Sequence, residues 1–193
     1  MGRAGPETRL PRFLREIASL MTTLSTLALL ALLGPACWFD VRERRIPNVV
    51  TVAGVIAALL LRVSLGWGPL LEGLLGAGLA LLVALLPFAL GLLGGGDVKL
   101  LGAVGAFVGA DRLFGGLLLI AAVGGVLALV EAVRQRALRR TLASTVALGK
   151  QWMLFGRAGV APTLESPGTM AIPYGVAIAV GSLVWWFMGG TTL

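Results

Sequence analysis

The chain has 193 residues, of which 58% are hydrophobic and only 13% are charged, and its formal net charge is +7. It contains no histidine and one cysteine, which excludes a disulfide framework and a Cys-rich zinc site and argues against Ser-His catalysis. The composition predicts an all-α, polytopic integral membrane protein whose partner is the lipid bilayer, with no metal and no cofactor.

Uncharged apolar runs recur along the chain, and roughly 17 to 25 such residues form a helix that crosses a bilayer. We predict six transmembrane spans, at Leu20–Phe39, Val49–Leu65, Leu70–Leu93, Val98–Ala110, Leu113–Val133 and Ile172–Met188. The fourth provides only about 20 Å of helix. It must therefore begin below the headgroups, thin the bilayer or line a water-filled cavity.

The N-terminal segment is basic, and residues 1–19 are predicted to form a tail that precedes a membrane-embedded domain at 20–193. A signal peptide over Met1–Ala36 is the alternative. Asp40 follows this apolar run directly, and no clear small-residue cleavage site separates them. Near the end of the second span, Arg62 is expected to extend to the membrane interface along its apolar stem.

The longest polar connection lies at about 134–171. Within it, Leu138, Leu142 and Val146 recur every four residues, which predicts an amphipathic helix on the surface of an anionic leaflet. No nucleic-acid-binding motif is present, and membrane topology explains the basic charge balance.

Lysine and arginine are distributed unevenly between the predicted loops. One side of the membrane receives ten of the 16 basic residues. They are Arg42, Arg44, Arg45, Lys99, Arg134, Arg136, Arg139, Arg140, Lys150 and Arg157. This bias predicts that their side is cytoplasmic. The four arginines of the N-terminal tail oppose the assignment, and the alternatives are a re-entrant first span, an inverted topology or a translation start at Met21.

Only three aspartates occur in the chain, and two of them directly adjoin apolar runs. Asp40 ends the first run and Asp97 precedes the fourth. The chain crosses the membrane twice between them, so both carboxyl groups return to one face whichever side is inside. Asp111 lies one crossing further on and belongs to the other face. An acid next to the hydrocarbon core is costly and is therefore a candidate functional residue.

Two carboxyl groups in a poorly solvated site tend to share one proton across a range of pH. One then acts as an acid and the other as a base, so the pair can activate water and protonate a leaving amine without a metal, nucleophile or cofactor. Asp40 and Asp97 are accordingly the predicted catalytic pair.

Neighbouring residues are candidates for supporting the site or for the approach of a substrate. Gly94 and Gly96 are expected to allow a non-helical backbone and a closely approaching substrate strand, or simply to form a tight connection. Lys99 either anchors at the headgroups or biases the pair electrostatically. Pro47 and Asn48 begin the second span and are also an ordinary helix start.

Three motifs then occur in order: Asp40 with Arg45-Ile46-Pro47-Asn48, Gly94-x-Gly96-Asp97-x-Lys99-Leu100, and Ile172-Pro173-Tyr174-Gly175-Val176-Ala177. Together they resemble the type IV prepilin peptidases, aspartic proteases of the GxGD class. The resemblance implies that Asp40 and Asp97 are catalytic. It also implies that prepilin-like precursors are the substrates, and that their short basic leader is removed at the cytoplasmic face of the plasma (inner) membrane.

Larger members of that family carry an additional loop with paired CxxC motifs and an N-methyltransferase activity, which this chain lacks. In this it resembles the short peptidases of Tad or Flp pilus systems and, more distantly, archaeal preflagellin peptidases. Two other hypotheses remain open, a carboxylate-dependent membrane transporter and a non-catalytic pilus or secretion assembly subunit. The oligomeric state is not predicted.

Overall fold

A computed structural model describes residues 11–134 and 174–189, which form helices and no strands. In chain order the helices are α1 (Arg12–Glu43), α2 (Asn48–Val63), α3 (Trp67–Ala89), α4 (Gly95–Val108), α5 (Ala110–Arg134) and α6 (Tyr174–Met188). The predicted all-α fold class is therefore confirmed. The amphipathic helix predicted within 134–171 lies outside the described residues, as do residues 1–10, Ile172 and Pro173.

Three of the described helices are long and apolar enough to cross a membrane: α1, α3 and Ala110–Glu131 of α5. Helices α2 and α6 are apolar but shorter, and α4 has only 14 residues. Each predicted span matches a helix in position, but the count of six crossings stays a prediction. Helix α1 begins at Arg12 and continues through Asp40 to Glu43, beyond both ends of the predicted first span.

Short connections set the directions of the first four helices. Helices joined by a few residues pack as antiparallel neighbours, so the end of α1, the start of α2 and the start of α4 share one end of the bundle. This is called here the aspartate end, and it contains Asp40, Asn48 and Asp97. The opposite end contains Arg62, Trp67 and Gly109.

Helix α4 forms the centre of the bundle. Val98 and every residue from Leu100 to Val108 are buried. Its closest neighbour is α3, which presents small residues to it. Gly76 and Gly105 face each other so closely that a β-carbon on Gly76 would overlap the Gly105 carbonyl oxygen. The same β-carbon would lie 2.8 Å from the carbonyl carbon of Gly109. Small residues that let two backbones approach are typical of helix packing in a membrane.

The outward surfaces of the helices are apolar. Large hydrophobic side chains are exposed along α2, α3 and α5, among them Leu60, Leu82, Leu86 and Leu118. A contiguous apolar exterior around a tightly packed centre is what a bilayer solvent requires. The lipid environment predicted from composition therefore agrees with the distribution of exposed residues.

Helix α6 packs against α5 through glycines that receive large side chains. Gly116 of α5 lies against the Trp185 indole, where an added β-carbon would be 3.0 Å from Cδ1. At the other end of this pair, Gly124 lies against the Tyr174 ring, and a β-carbon there would be 2.8 Å from Cε2. These contacts bring the first turn of α6 to the aspartate end.

Arg62 departs from the sequence-based expectation. Instead of extending to the interface, it is buried, with 6% of its surface exposed. Its guanidinium donates hydrogen bonds to the backbone carbonyl oxygens of Pro69, Ala106 and Phe107. Buried carbonyls at a helix end need donors, and this need outweighs the tendency of arginine to reach water.

Candidate active site

The Asp40 carboxyl lies in the last turn of α1 and is 8% exposed. Its Oδ2 accepts a hydrogen bond from the Gly175 N–H at 2.7 Å, and the Val176 N–H also interacts with it. Both amides belong to the first turn of α6, where backbone N–H groups have no partner within the helix and the helix dipole favours negative charge. The start of α6 therefore provides an anion-binding position for Asp40.

The Asp97 carboxyl has fewer hydrogen-bond donors. It lies in the first turn of α4, and its Oδ2 accepts a hydrogen bond from the Gly94 N–H at 3.2 Å. Its Oδ1 is buried without a hydrogen-bond partner among the described residues. Burial, and then the charge of Asp40, raises the pKa of Asp97 to about 6. Protonated Asp97 is therefore accessible near neutral pH.

The two carboxyl groups are thus at one end of the bundle and interact electrostatically, as the two crossings between them require. Their surroundings differ in hydrogen bonding, since two α6 amides face Asp40, whereas Asp97 has the Gly94 amide and one buried oxygen without a partner among the described residues. When the environments of two carboxyl groups give them different proton affinities, one can act as the acid and the other as the base.

The glycines before Asp97 differ in their roles. Gly94 has an extended backbone, with φ −76° and ψ 153°, and caps α4. Gly96 is already helical and is not among the glycines with positive φ, so the expected non-helical turn at Gly96 is wrong. Its missing side chain instead makes room for Ile46, whose Cβ would lie 3.2 Å from an added β-carbon.

The other candidate supporting residues connect α2 to α4. Pro47 is the residue before α2, with an extended backbone. The Lys99 Nζ donates a hydrogen bond to Asn48 Oδ1 at 2.8 Å. Lys99 therefore contacts the start of α2, and its hydrogen bond holds the α1–α2 connection near the turn that carries Asp97.

Gly175 and Tyr174 were not assigned as site residues from the sequence. A β-carbon on Gly175 would lie 2.7 Å from Asp40 Oδ2, so only glycine leaves space for the carboxyl there. Tyr174 lies within electrostatic range of Asp97. The motif beginning at Ile172 was the available signal, but a backbone amide that binds a distant carboxylate leaves no mark in sequence.

Ligands for a metal do not cluster in the described part of the chain. Within 11–134 and 174–189, no three His, Cys, Asp or Glu side chains lie together in a way that could hold an ion. The chemical groups at the aspartate end include the two carboxyls, the amides of α6, the Tyr174 hydroxyl and the Lys99–Asn48 pair.

Comparison with known protein families identifies the class. A model of the type IV leader peptidase family matches residues 27–129, a range that contains both Asp40 and Asp97. The chain belongs to the type IV leader peptidase family. Searches of curated proteins and of solved structures found no match. Family membership makes the chain a membrane protease of the leader or prepilin peptidase type, acting on prepilin-like substrates in general.

Proposed function

We propose that this family member is an aspartic endopeptidase, that Asp40 and Asp97 are its catalytic pair, and that it needs no metal or cofactor. The observation that carries the proposal is the pairing of two carboxyls at one end of the bundle, the buried Asp40 and the partly buried Asp97, with different hydrogen-bond donors. A structural role alone would be served by ion pairs, yet the hydrogen bonds of these carboxyls come from the backbone amides of Gly175 and Gly94.

The contrast suggests how the roles divide. Asp40, hydrogen-bonded by the α6 amides, is the carboxylate that removes a proton from water. The resulting hydroxide attacks the scissile carbonyl carbon while Asp97 donates its proton to the carbonyl oxygen, giving a tetrahedral diol. Collapse of the diol returns that proton to Asp97 and transfers the proton on Asp40 to the leaving amine.

We further propose that the aspartate end faces the cytoplasm and that the protein lies in the plasma (inner) membrane. Among the described residues, this end carries Arg42, Arg44, Arg45 and Lys99 in or beside its loops. Basic residues near the ends of membrane helices favour retention inside the cell. The amphipathic segment proposed at about 134–171 would add further positive charge on this side.

The proposed substrates are Tad/Flp-type prepilin precursors, cut between a short basic leader and the hydrophobic segment. The cysteine count supports this class, because a single cysteine provides no CxxC pair. We accordingly expect cleavage without methylation of the new N-terminus. No structural observation favours the transporter or assembly-subunit hypotheses.

Purified protein in detergent or liposomes, mixed with a Tad/Flp-type precursor, tests the proposal. The product should begin just before the hydrophobic segment, as read by N-terminal sequencing, and EDTA should not change the rate. Asp40→Asn and Asp97→Asn should each abolish the product, whereas Glu16→Gln, an exposed acid at the start of α1, should not. An intact precursor after incubation with folded wild-type protein would contradict the proposal.

A further inference from the structure

The end of α4 that lies far from Asp97 poses a structural problem. At 14 residues the helix is about 20 Å long, shorter than a bilayer core of about 30 Å. The last carbonyl groups of a helix have no partner within it. In a dry environment each unsatisfied group costs several kcal/mol.

Arg62 provides the missing donors. From the last turn of α2, its Nε donates to Ala106 O at 2.8 Å and its Nη2 donates to Phe107 O at 2.8 Å. A third bond, from Nη1 to Pro69 O at 3.0 Å, reaches the first turn of α3. A planar guanidinium holds its donors in a fixed geometry, so one side chain joins the ends of three helices.

The surroundings are shaped to admit this side chain. A β-carbon on Gly73 would overlap Arg62 Cδ, and one on Gly109 would lie 2.9 Å from Arg62 Nη2. Gly109 also has φ +85°, a conformation that glycine adopts without strain. The carboxylates of Glu72 and Asp111 lie within electrostatic range of Arg62. A buried arginine with this support differs from an incidental surface charge.

Asp97 lies at the other end of this same rigid helix. The α3–α4 contact is close, with Gly76 against Gly105 and Leu81 against Gly102. The Arg62 hydrogen bonds add a directional constraint at the far end, because they hold the carbonyls of Ala106 and Phe107 at fixed positions. We propose that Arg62 is a positioning residue for cleavage, which fixes α4 along its axis and thereby sets the height of Asp97 relative to Asp40. This inference rests on the proposed catalytic role of Asp97.

The first test compares Arg62→Met, which removes every donor, with Arg62→Lys, which keeps the charge but not the fork of three bonds. A displaced acid misaligns the reaction without altering how the precursor docks. We expect kcat to fall at least about tenfold in Arg62→Met, with KM within about twofold of wild type, and an intermediate kcat in Arg62→Lys. Arg15→Met, an exposed arginine at the same end, is the matched control.

A second measurement does not depend on activity. Asn48→Cys and Lys99→Cys, introduced together with Cys37→Ser, place two thiols at the aspartate end of the α2–α4 pair. A short thiol-reactive cross-linker then reports the register of α4. Cross-linking should fall severalfold when Arg62→Met is added and partly recover with Arg62→Lys, but should not change with Arg15→Met.

The two measurements separate the possible failures. Wild-type cross-linking and wild-type kcat in either folded Arg62 variant would overturn the positioning role. If Arg62→Met does not fold, Arg62→Lys alone tests the inference. A kcat and an extent of cross-linking equal to those of wild type in Arg62→Lys would then overturn it. If wild-type protein cuts no precursor, the proposed function fails, while the cross-linking result still tests the clamp.

Discussion

At the scale of single residues, two aspartates of identical chemistry acquire different properties from their neighbours. The Asp40 carboxyl contacts amides at a helix N-terminus, whereas Asp97 has one buried oxygen without a partner among the described residues. The sequence predicted that these acids share a face. It did not predict this difference, because its source is the backbone of α6, far along the chain.

The raised pKa of Asp97 predicts a change in stability with pH. Because the pKa of Asp97 rises from 3.8 to about 6 on folding, the folded state binds the proton more tightly than the unfolded state. The stability that this group contributes is present below about pH 4 and is lost as pH rises through about 6. Asp97→Asn cannot ionise and should avoid that loss.

We therefore expect Asp97→Asn to melt at a higher temperature than wild type at about pH 8. Its free energy of unfolding should exceed that of wild type by at most about 3 kcal/mol, since one pKa unit corresponds to about 1.4 kcal/mol. The advantage should shrink at about pH 4. Thermal unfolding in detergent measures it, with Glu16→Gln as control. An equal difference at both pH values would show that ionisation of Asp97 is not its source.

Gly175 provides a second test at the residue scale. In Gly175→Ala the new methyl group would lie 2.7 Å from Asp40 Oδ2, so the carboxyl must move away from the α6 amides. We expect cleavage to fall at least about tenfold. Gly125→Ala in α5, where an added β-carbon meets nothing within 4 Å, should keep most activity. Similar rates in the two variants would argue against a role for the Gly175–Asp40 contact.

At the scale of elements, apolar runs located the helices because a bilayer imposes long uncharged segments. Apolar runs do not predict the contacts of a residue whose partner is a distant backbone or loop. Gly96 was expected to form a non-helical turn, but it is a helical position packed against Ile46. Arg62 was expected to reach the interface, but it binds the carbonyls of α4. Backbone carbonyls carry no residue-specific signal.

The packing of Gly96 gives the prediction at this scale. A β-carbon in Gly96→Ala would lie 3.2 Å from Ile46 Cβ and 3.3 Å from Ile46 N, which forces the α1–α2 connection away from α4. We expect a destabilisation of about 1–3 kcal/mol together with slower cleavage. Gly78→Ala, with open space around the new methyl group, is the control. Melting temperatures and rates equal to those of the control would show that the connection yields without cost.

At the scale of the whole molecule, connection lengths and charge distribution determine what the bundle presents on each side. The sequence predicted the common face of Asp40 and Asp97 from the number of crossings alone. How deeply α4 is enclosed could not be predicted, since the hydrophobicity of a run does not distinguish contact with lipid from contact with other helices.

The proposed orientation has a direct test. With Cys37→Ser as background, Arg45→Cys reports the aspartate end and Trp67→Cys the opposite end, and both native side chains are exposed. In intact cells, a thiol reagent that cannot cross the inner membrane should label only Trp67→Cys. In inverted membrane vesicles it should label Arg45→Cys instead. The reverse pattern would invert the topology and place the aspartates outside the cytoplasm.

Asp40 and Asp97 are proposed to act as one catalytic unit. Groups that act together lose nearly their whole contribution when either is removed, so their effects do not add. The deciding measurement is the single-turnover cleavage rate of Asp40→Asn, Asp97→Asn and the double variant, all verified as folded. We predict that each single substitution slows cleavage by about 10³-fold or more and that the double variant is no slower. Retention of wild-type activity by either single variant, or losses that multiply in the double variant, would show that the two acids do not act as one unit.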